Sequence, residues 1–151
     1  MDAELKELYQ QVILDHNKSP RNFGKLEHAN HSAEGYNPLC GDKVNIYIEM
    51  ENDIVKDISF QSSGCAISRA SASLMSSALK GKTREEAEKI FNQFHNLIIG
   101  KPDEEKSFEE LGKLAVFGGI KDFPSRAKCA TLPWHTMINA LGKGDEKFKT
   151  E

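Results

Sequence analysis

Three thiols carry the most reactive chemistry in this sequence: Cys40, Cys65 and Cys129. Their number is odd, whereas a secreted disulfide framework normally uses an even one. In a reducing compartment they are thiols or metal ligands. Cys40 stands in Asn37-Pro38-Leu39-Cys40-Gly41-Asp42, Cys65 in Ser63-Gly64-Cys65-Ala66, and Cys129 in Arg126-Ala127-Lys128-Cys129. Asp42 offers a hard oxygen two residues after Cys40. Together the thiolates and the carboxylate make a four-ligand set of the kind zinc takes in tetrahedral geometry. Spacing alone leaves a second reading open, because no Cys-x-x-Cys pair is present. Free cysteine also packs as a small buried hydrophobe, and Gly-Asp after a cysteine suits a plain turn.

The elements that must position these residues follow from periodicity. Residues 4–17 read as an amphipathic helix, with Leu5, Leu8, Tyr9, Val12, Ile13 and His16 on one face and Pro20 as the stop. Residues 21–39 lack clear periodicity and leave room for a short edge strand. Val44, Ile46, Ile48 and Met50 then alternate with Asn45, Tyr47 and Glu49; beyond a turn at Glu51-Asn52-Asp53, Ile54, Ile58 and Phe60 share a face. This predicts a β-hairpin with one buried face. Cys40 precedes its first strand and Cys65 follows its second, so hairpin geometry brings both to the same end of the sheet. A Ser- and Ala-rich helix is expected from about Ala66 to Leu79, which puts Cys65 at its positive, anion-favouring end. Gly41 and Gly64 let the backbone turn sharply beside a bound ion.

Thr83 and Glu86 form a capping box for the next helix, whose stripe is Ala87, Ile90, Phe91, Phe94, Leu97 and Ile98. Ser107 and Glu110 repeat that box before a short helix carrying Leu111 and Leu114. Pro124 can open the last helix, and Pro133 inside it predicts a kink or a late start. The order of helix, small sheet and further helices indicates an α+β fold: a small antiparallel sheet of about three strands with helices packed on one face.

The 151 residues suit a single domain, 1–151, with a loose tail at 145–151. A net charge of −3 lacks the basic excess of a duplex nucleic-acid binder. No apolar run reaches a membrane span, and the charged start Met1-Asp2-Ala3-Glu4 lacks the apolar core of a signal peptide, so the expected compartment is the cytosol. Among the histidines, His16 on the apolar stripe reads as structural, His28 and His31 as polar loop residues, His95 as solvent-facing, and His135 as packing beside Trp134. Asp103-Glu104-Glu105 reads as a solvated loop.

The local sequences add a resemblance. Pro38-x-Cys40-Gly41-Asp42, Gly64-Cys65-x-Ile67-Ser68 and Arg126-x-Lys128-Cys129-x-Thr131-Leu132-x-Trp134 resemble the U-type iron–sulfur assembly scaffolds, the IscU/SufU/NifU group. The opening Leu8-Tyr9…Val12-Ile13-x-Asp15-His16-x-x-x-Pro20-Arg21-Asn22 is similar as well. IscU-type members carry a His before the third Cys, where this chain has Lys128. The long span between Cys65 and Cys129 matches SufU-type members, with a family insertion around 100–119. Pro133 stands where the family commonly has Ala.

The resemblance implies zinc held by Cys40, Asp42, Cys65 and Cys129, and Cys40 as the acceptor of persulfide sulfur. The implied partners are a PLP-dependent cysteine desulfurase of the SufS type and downstream Suf assembly proteins, with no nucleic acid and no membrane. Cys40 would swing on Gly41, and Arg126, three residues before Cys129, would support the charge of the thiolates. One alternative is a scaffold on which a [2Fe–2S] cluster is built on the same thiolates. Another is a structural zinc domain used for interaction. No nucleophile–base pair, phosphate loop or carboxylate dyad points to a stand-alone enzyme.

Overall fold

The computed structural model describes residues 3–38, 41–99, 124–143 and 146–149, together with Leu114 and Phe117. Cys40 and the rest of the 100–119 segment, including the Ser107–Glu110 box, lie outside the described residues. In chain order the elements are α1 (Ala3–Lys18), β1 (His31–Asn37), β2 (Asp42–Glu51), β3 (Ile54–Ser63), α2 (Ala66–Leu79), α3 (Arg84–Ile99), α4 (Pro124–Lys143) and β4 (Glu146–Lys149). The sheet runs β3-β2-β1-β4. Its first three strands are antiparallel, and β4 adds parallel to β1.

The hairpin turn rests on Asn52 and Asp53, both at positive φ (52° and 65°). Two such residues in succession match the right-handed twist of the flanking strands, and Asn and Asp tolerate this conformation best among non-glycine residues. Val44, Ile46 and Ile48 of β2 are fully buried with Ile58 and Phe60 of β3. Here one expectation is corrected. Ile54 is 39% exposed, and Val55 takes its place in the core. Glu49 pairs with Asp57 but Met50 pairs with Val55, so Lys56 is an extra residue that flips the alternation in a β-bulge.

β1 is not an edge strand, because β4 pairs along it from Ala33↔Glu146 to Tyr36↔Lys149. The composition of 145–151 suggested a loose tail. An unpaired strand edge, however, offers a row of backbone donors and acceptors that a returning chain can satisfy. α4 packs across β1 and β2, and α2 packs on β3, α1 and α4. Gly35 allows the α4 approach: a Cβ there would collide with Thr136 and lie 3.1 Å from Leu132 Cδ1. α4 runs unbroken through Pro133, so the expected late start does not occur.

The Thr83–Glu86 capping box is formed reciprocally, with Thr83 N–H donating to Glu86 at 3.0 Å and Glu86 N–H to Thr83 at 3.1 Å. These bonds hold the Glu86 carboxyl below its usual pKa. Beyond the box, Phe94 stacks on Trp134 with ring centroids 4.5 Å apart, which fastens α3 to α4. No helix among the described residues is long and apolar enough to cross a membrane.

Candidate metal centre

The hairpin delivers two segments to one end of the sheet. Asp42 opens β2 opposite Asn37, and Lys43 pairs with Ser63 at the close of β3. Asp42 is completely buried. Its Oδ1 accepts the Cys65 N–H at 2.7 Å, and its Oδ2 lies 3.5 Å from Cys65 Sγ. This approach requires glycine at 64. Gly64 has φ +126°, and a Cβ there would meet the Asp42 carboxylate and stand 2.8 Å from its Cα.

Cys65 is the N-cap of α2. Its backbone is extended, and its sulfur accepts the Ser68 N–H at 3.5 Å. A thiol thereby does the work usually given to Ser or Asp. Cys129 arrives from α4 and is buried. The two helices are tied just beyond it: Ser71 Oγ donates to the Ala130 carbonyl at 2.5 Å and accepts from Trp134 Nε1 at 3.1 Å. Pro133 lacks the N–H that would close the helical bond to the Cys129 carbonyl.

The outcome is one cluster: a ligand atom each from Asp42, Cys65 and Cys129, all within 4.8 Å of one another. Sulfur about 2.3 Å and oxygen about 2.0 Å from a tetrahedral zinc ion stand about 3.5 Å apart, and two sulfurs about 3.8 Å apart. The Cys65–Asp42 separation of 3.5 Å matches, and no pair of the set is more than 4.8 Å apart. The donors fit zinc in kind as well as in spacing. Asp42 and Cys129 are buried, Cys65 is only half-buried, and Gly41, Ser63 and Gly64 are exposed. Among the described residues, the backbone that flanks the centre thus reaches the surface at Gly41 and at Ser63-Gly64.

Of the residues singled out by sequence, Asp42, Cys65, Cys129 and Gly64 come together, and Gly41 (φ +71°) adjoins them with nothing within 4 Å of where its Cβ would be. Arg126 lies in the first turn of α4, before Cys129. The histidines that can be placed lie elsewhere. His16 is buried and bonds Ser73 Oγ through Nδ1 at 2.7 Å, a structural role. His31 is in β1 rather than a loop, with Nδ1 2.9 Å from the Ala140 carbonyl. His95 is half-buried rather than solvated and stacks on Phe91, while His135 meets Phe91 edge-on. Burial, and then the neighbouring His95, lower the His135 pKa. Sequence reasoning missed the Asp42–Cys65 backbone bond and the cap formed by Cys65. Only the Gly64-Cys65 junction ahead of a helical pattern hinted at either.

Comparison with known proteins agrees with this geometry. The profile of the NifU-like N-terminal domain matches residues 8–130. The zinc-dependent sulfurtransferase SufU of Bacillus subtilis is 39% identical over 142 residues, which cover 94% of this chain and 95% of that protein. The iron–sulfur cluster assembly scaffold protein IscU of Thermotoga maritima is 36% identical over 91% of this chain and 95% of its own length. Among solved structures, a protein from Fervidobacterium islandicum AW-1 assigned as an iron–sulfur cluster assembly scaffold for the SUF system superposes with a TM-score of 0.81. It has 36% identity and covers 93% of this chain and 99% of that one. The converging Asp and Cys side chains, the fold around them and these likenesses over nearly the full length agree: the chain belongs to the family of NifU-like N-terminal domains.

Proposed function

We propose that this chain serves iron–sulfur cluster assembly as a zinc-dependent sulfur acceptor, working in the cytosol with a PLP-dependent cysteine desulfurase of the SufS type. The observation that carries the reading is the meeting of Asp42, Cys65 and Cys129 from three separate elements, at an end of the sheet where the flanking Gly41, Ser63 and Gly64 are exposed. The likeness to a zinc-dependent sulfurtransferase across nearly all of both chains supports it. Zinc would be held by Asp42, Cys65 and Cys129, with Cys40 as the fourth ligand, and its chemistry there is to keep thiolates deprotonated at neutral pH.

Cys40 is the acceptor in this proposal. Its thiolate attacks the outer sulfur of the desulfurase persulfide. A new S–S bond forms on Cys40, the old one breaks, and the desulfurase leaves as a thiolate. Gly41 beside it, at positive φ and with open space around its Cα, supplies the hinge. Arg126 supports the negative charge of the sulfur set, and downstream Suf assembly proteins receive the sulfur.

The second reading is a scaffold that builds a [2Fe–2S] cluster on the same thiolates. The IscU-named relatives of similar identity favour it. Metal analysis of freshly purified protein alongside Cys40→Ser separates the two. About one zinc per chain, with desulfurase stimulation lost in a folded Cys40→Ser, is the expected result. Iron and sulfide in near-equal amounts would establish the scaffold. Zinc whose removal unfolds the chain, with a Cys40 variant affected only through stability, would leave a structural zinc domain.

A further inference from the structure

Ser68 is 2% exposed, and its Oγ has no hydrogen-bond partner. A buried hydroxyl without a partner costs about 1–3 kcal/mol, so such atoms are rare unless something absent from the chain satisfies them. Its position explains how it came to be unpaired. With Cys65 as N-cap, Ser68 is the third residue of α2. In a capping box the side chain at that position bonds back to the N-cap N–H. Here Asp42 has taken that N–H at 2.7 Å, so the usual local partner of Ser68 is already engaged.

The one sulfur that Ser68 is seen to contact, through its backbone, is that of Cys65. The Ser68 N–H already donates to Cys65 Sγ at 3.5 Å. Ser71, one turn further on the same face, bonds the carbonyl of Ala130, the residue after Cys129. Ser68 therefore sits one turn nearer the metal centre on the α2 face that meets α4. Helical side chains lean toward the N-terminus, which here is the direction of Cys65. A metal-held thiolate keeps lone pairs that accept hydrogen bonds, and donors around a ligand set commonly tune its affinity.

We infer that Ser68 is a positioning residue of the metal centre: its hydroxyl donates to a thiolate of the Cys65–Cys129 pair when the ion is bound. The inference rests on the proposed metal role of that pair, and the test separates the two. Cobalt(II) alone is titrated into metal-free wild type, Ser68→Ala and Ser68→Thr, with sulfur-to-cobalt charge-transfer absorption as one readout and chelator competition as the other. Ser68→Ala is expected to bind cobalt about tenfold more weakly. Its charge-transfer band should move to longer wavelength, because a thiolate without that donor gives up charge more readily. Ser68→Thr, which keeps the hydroxyl, should restore the wild-type band. Melting of each metal-free variant identifies a purely structural effect. A Ser68→Ala band at the wild-type wavelength overturns the inference, whether affinity is kept or falls with stability. Wild type that binds no cobalt through sulfur would instead remove the metal reading itself.

Discussion

At the scale of single residues, the centre depends on close approaches that leave little tolerance. Gly64 combines a left-handed φ of +126° with a Cβ position 2.8 Å from the Asp42 Cα. Gly64→Ala should destabilise the fold by about 3 kcal/mol and reduce zinc content, whereas Gly41→Ala meets no neighbour and should cost about 1 kcal/mol. Urea unfolding of both variants checks this ordering, and equal losses would contradict it. Asp42 performs two tasks, and two substitutions separate them. Asp42→Asn keeps an acceptor for the Cys65 N–H but removes the anionic oxygen, so metal retention should fall while the fold persists. Asp42→Ala also leaves a backbone donor without its acceptor, which costs about 1–3 kcal/mol more. Metal content and unfolding midpoints of the pair distinguish the tasks. The donor set was legible in the sequence because thiols and a carboxylate at element junctions are chemically distinctive. The Asp42 bond was not, because it joins residues whose approach depends on strand register rather than on any local pattern.

At the scale of elements, α1 and the turn after it are held to α2 by two hydroxyls, Ser73 to both and Ser76 to Arg21 and Asn22 of the turn. Ser73 Oγ meets His16 Nδ1 at 2.7 Å and accepts the Arg21 N–H at 2.8 Å. Ser73→Ala removes both contacts from a buried seam and should lower stability by about 2 kcal/mol. Metal content should be unchanged, since none of the three candidate ligands comes from α1. A drop in metal content equal to that of Asp42→Ala would show that α1 supports the centre directly. Helix α1, the hairpin, the Thr83–Glu86 box and the α2 start were readable because each is encoded within a few neighbouring residues. The Lys56 bulge was not, because it is a choice of pairing between strands. Strand β4 was not either, because four residues of mixed charge become a strand only when a free edge is available beside them.

At the scale of the whole molecule, the metal and the packed core act on stability separately. The three candidate ligands come from β2, the start of α2 and α4, so an ion held there would join segments far apart in the chain and stabilise the fold by linkage, on the order of 3 kcal/mol at a hundredfold excess over Kd. The packed cluster of Trp134, Phe94, Phe60 and the strand aliphatics is built without those residues. Chelation is therefore expected to lower the melting temperature while far-UV circular dichroism stays helical at room temperature; immediate loss of that signal would make the ion structural. The chelated protein then exposes a second effect, that of pH. Burial and the adjacent His95 lower the His135 pKa, so the folded state favours the neutral ring. Above the unfolded value of about 6.5, both states are neutral and His135 contributes nothing to pH dependence. As pH falls through that value, the unfolded chain takes up the proton first. Stability then declines until the lowered folded pKa is passed, and levels off below it. Acid would also displace metal by protonating thiols, which is why the experiment belongs in excess chelator. His135→Phe keeps an aromatic ring against Phe91 but cannot titrate. Melting temperatures at pH 7.5 and 5.5 should differ less for this variant than for wild type. An identical acid penalty in both would place the sensitivity in other groups.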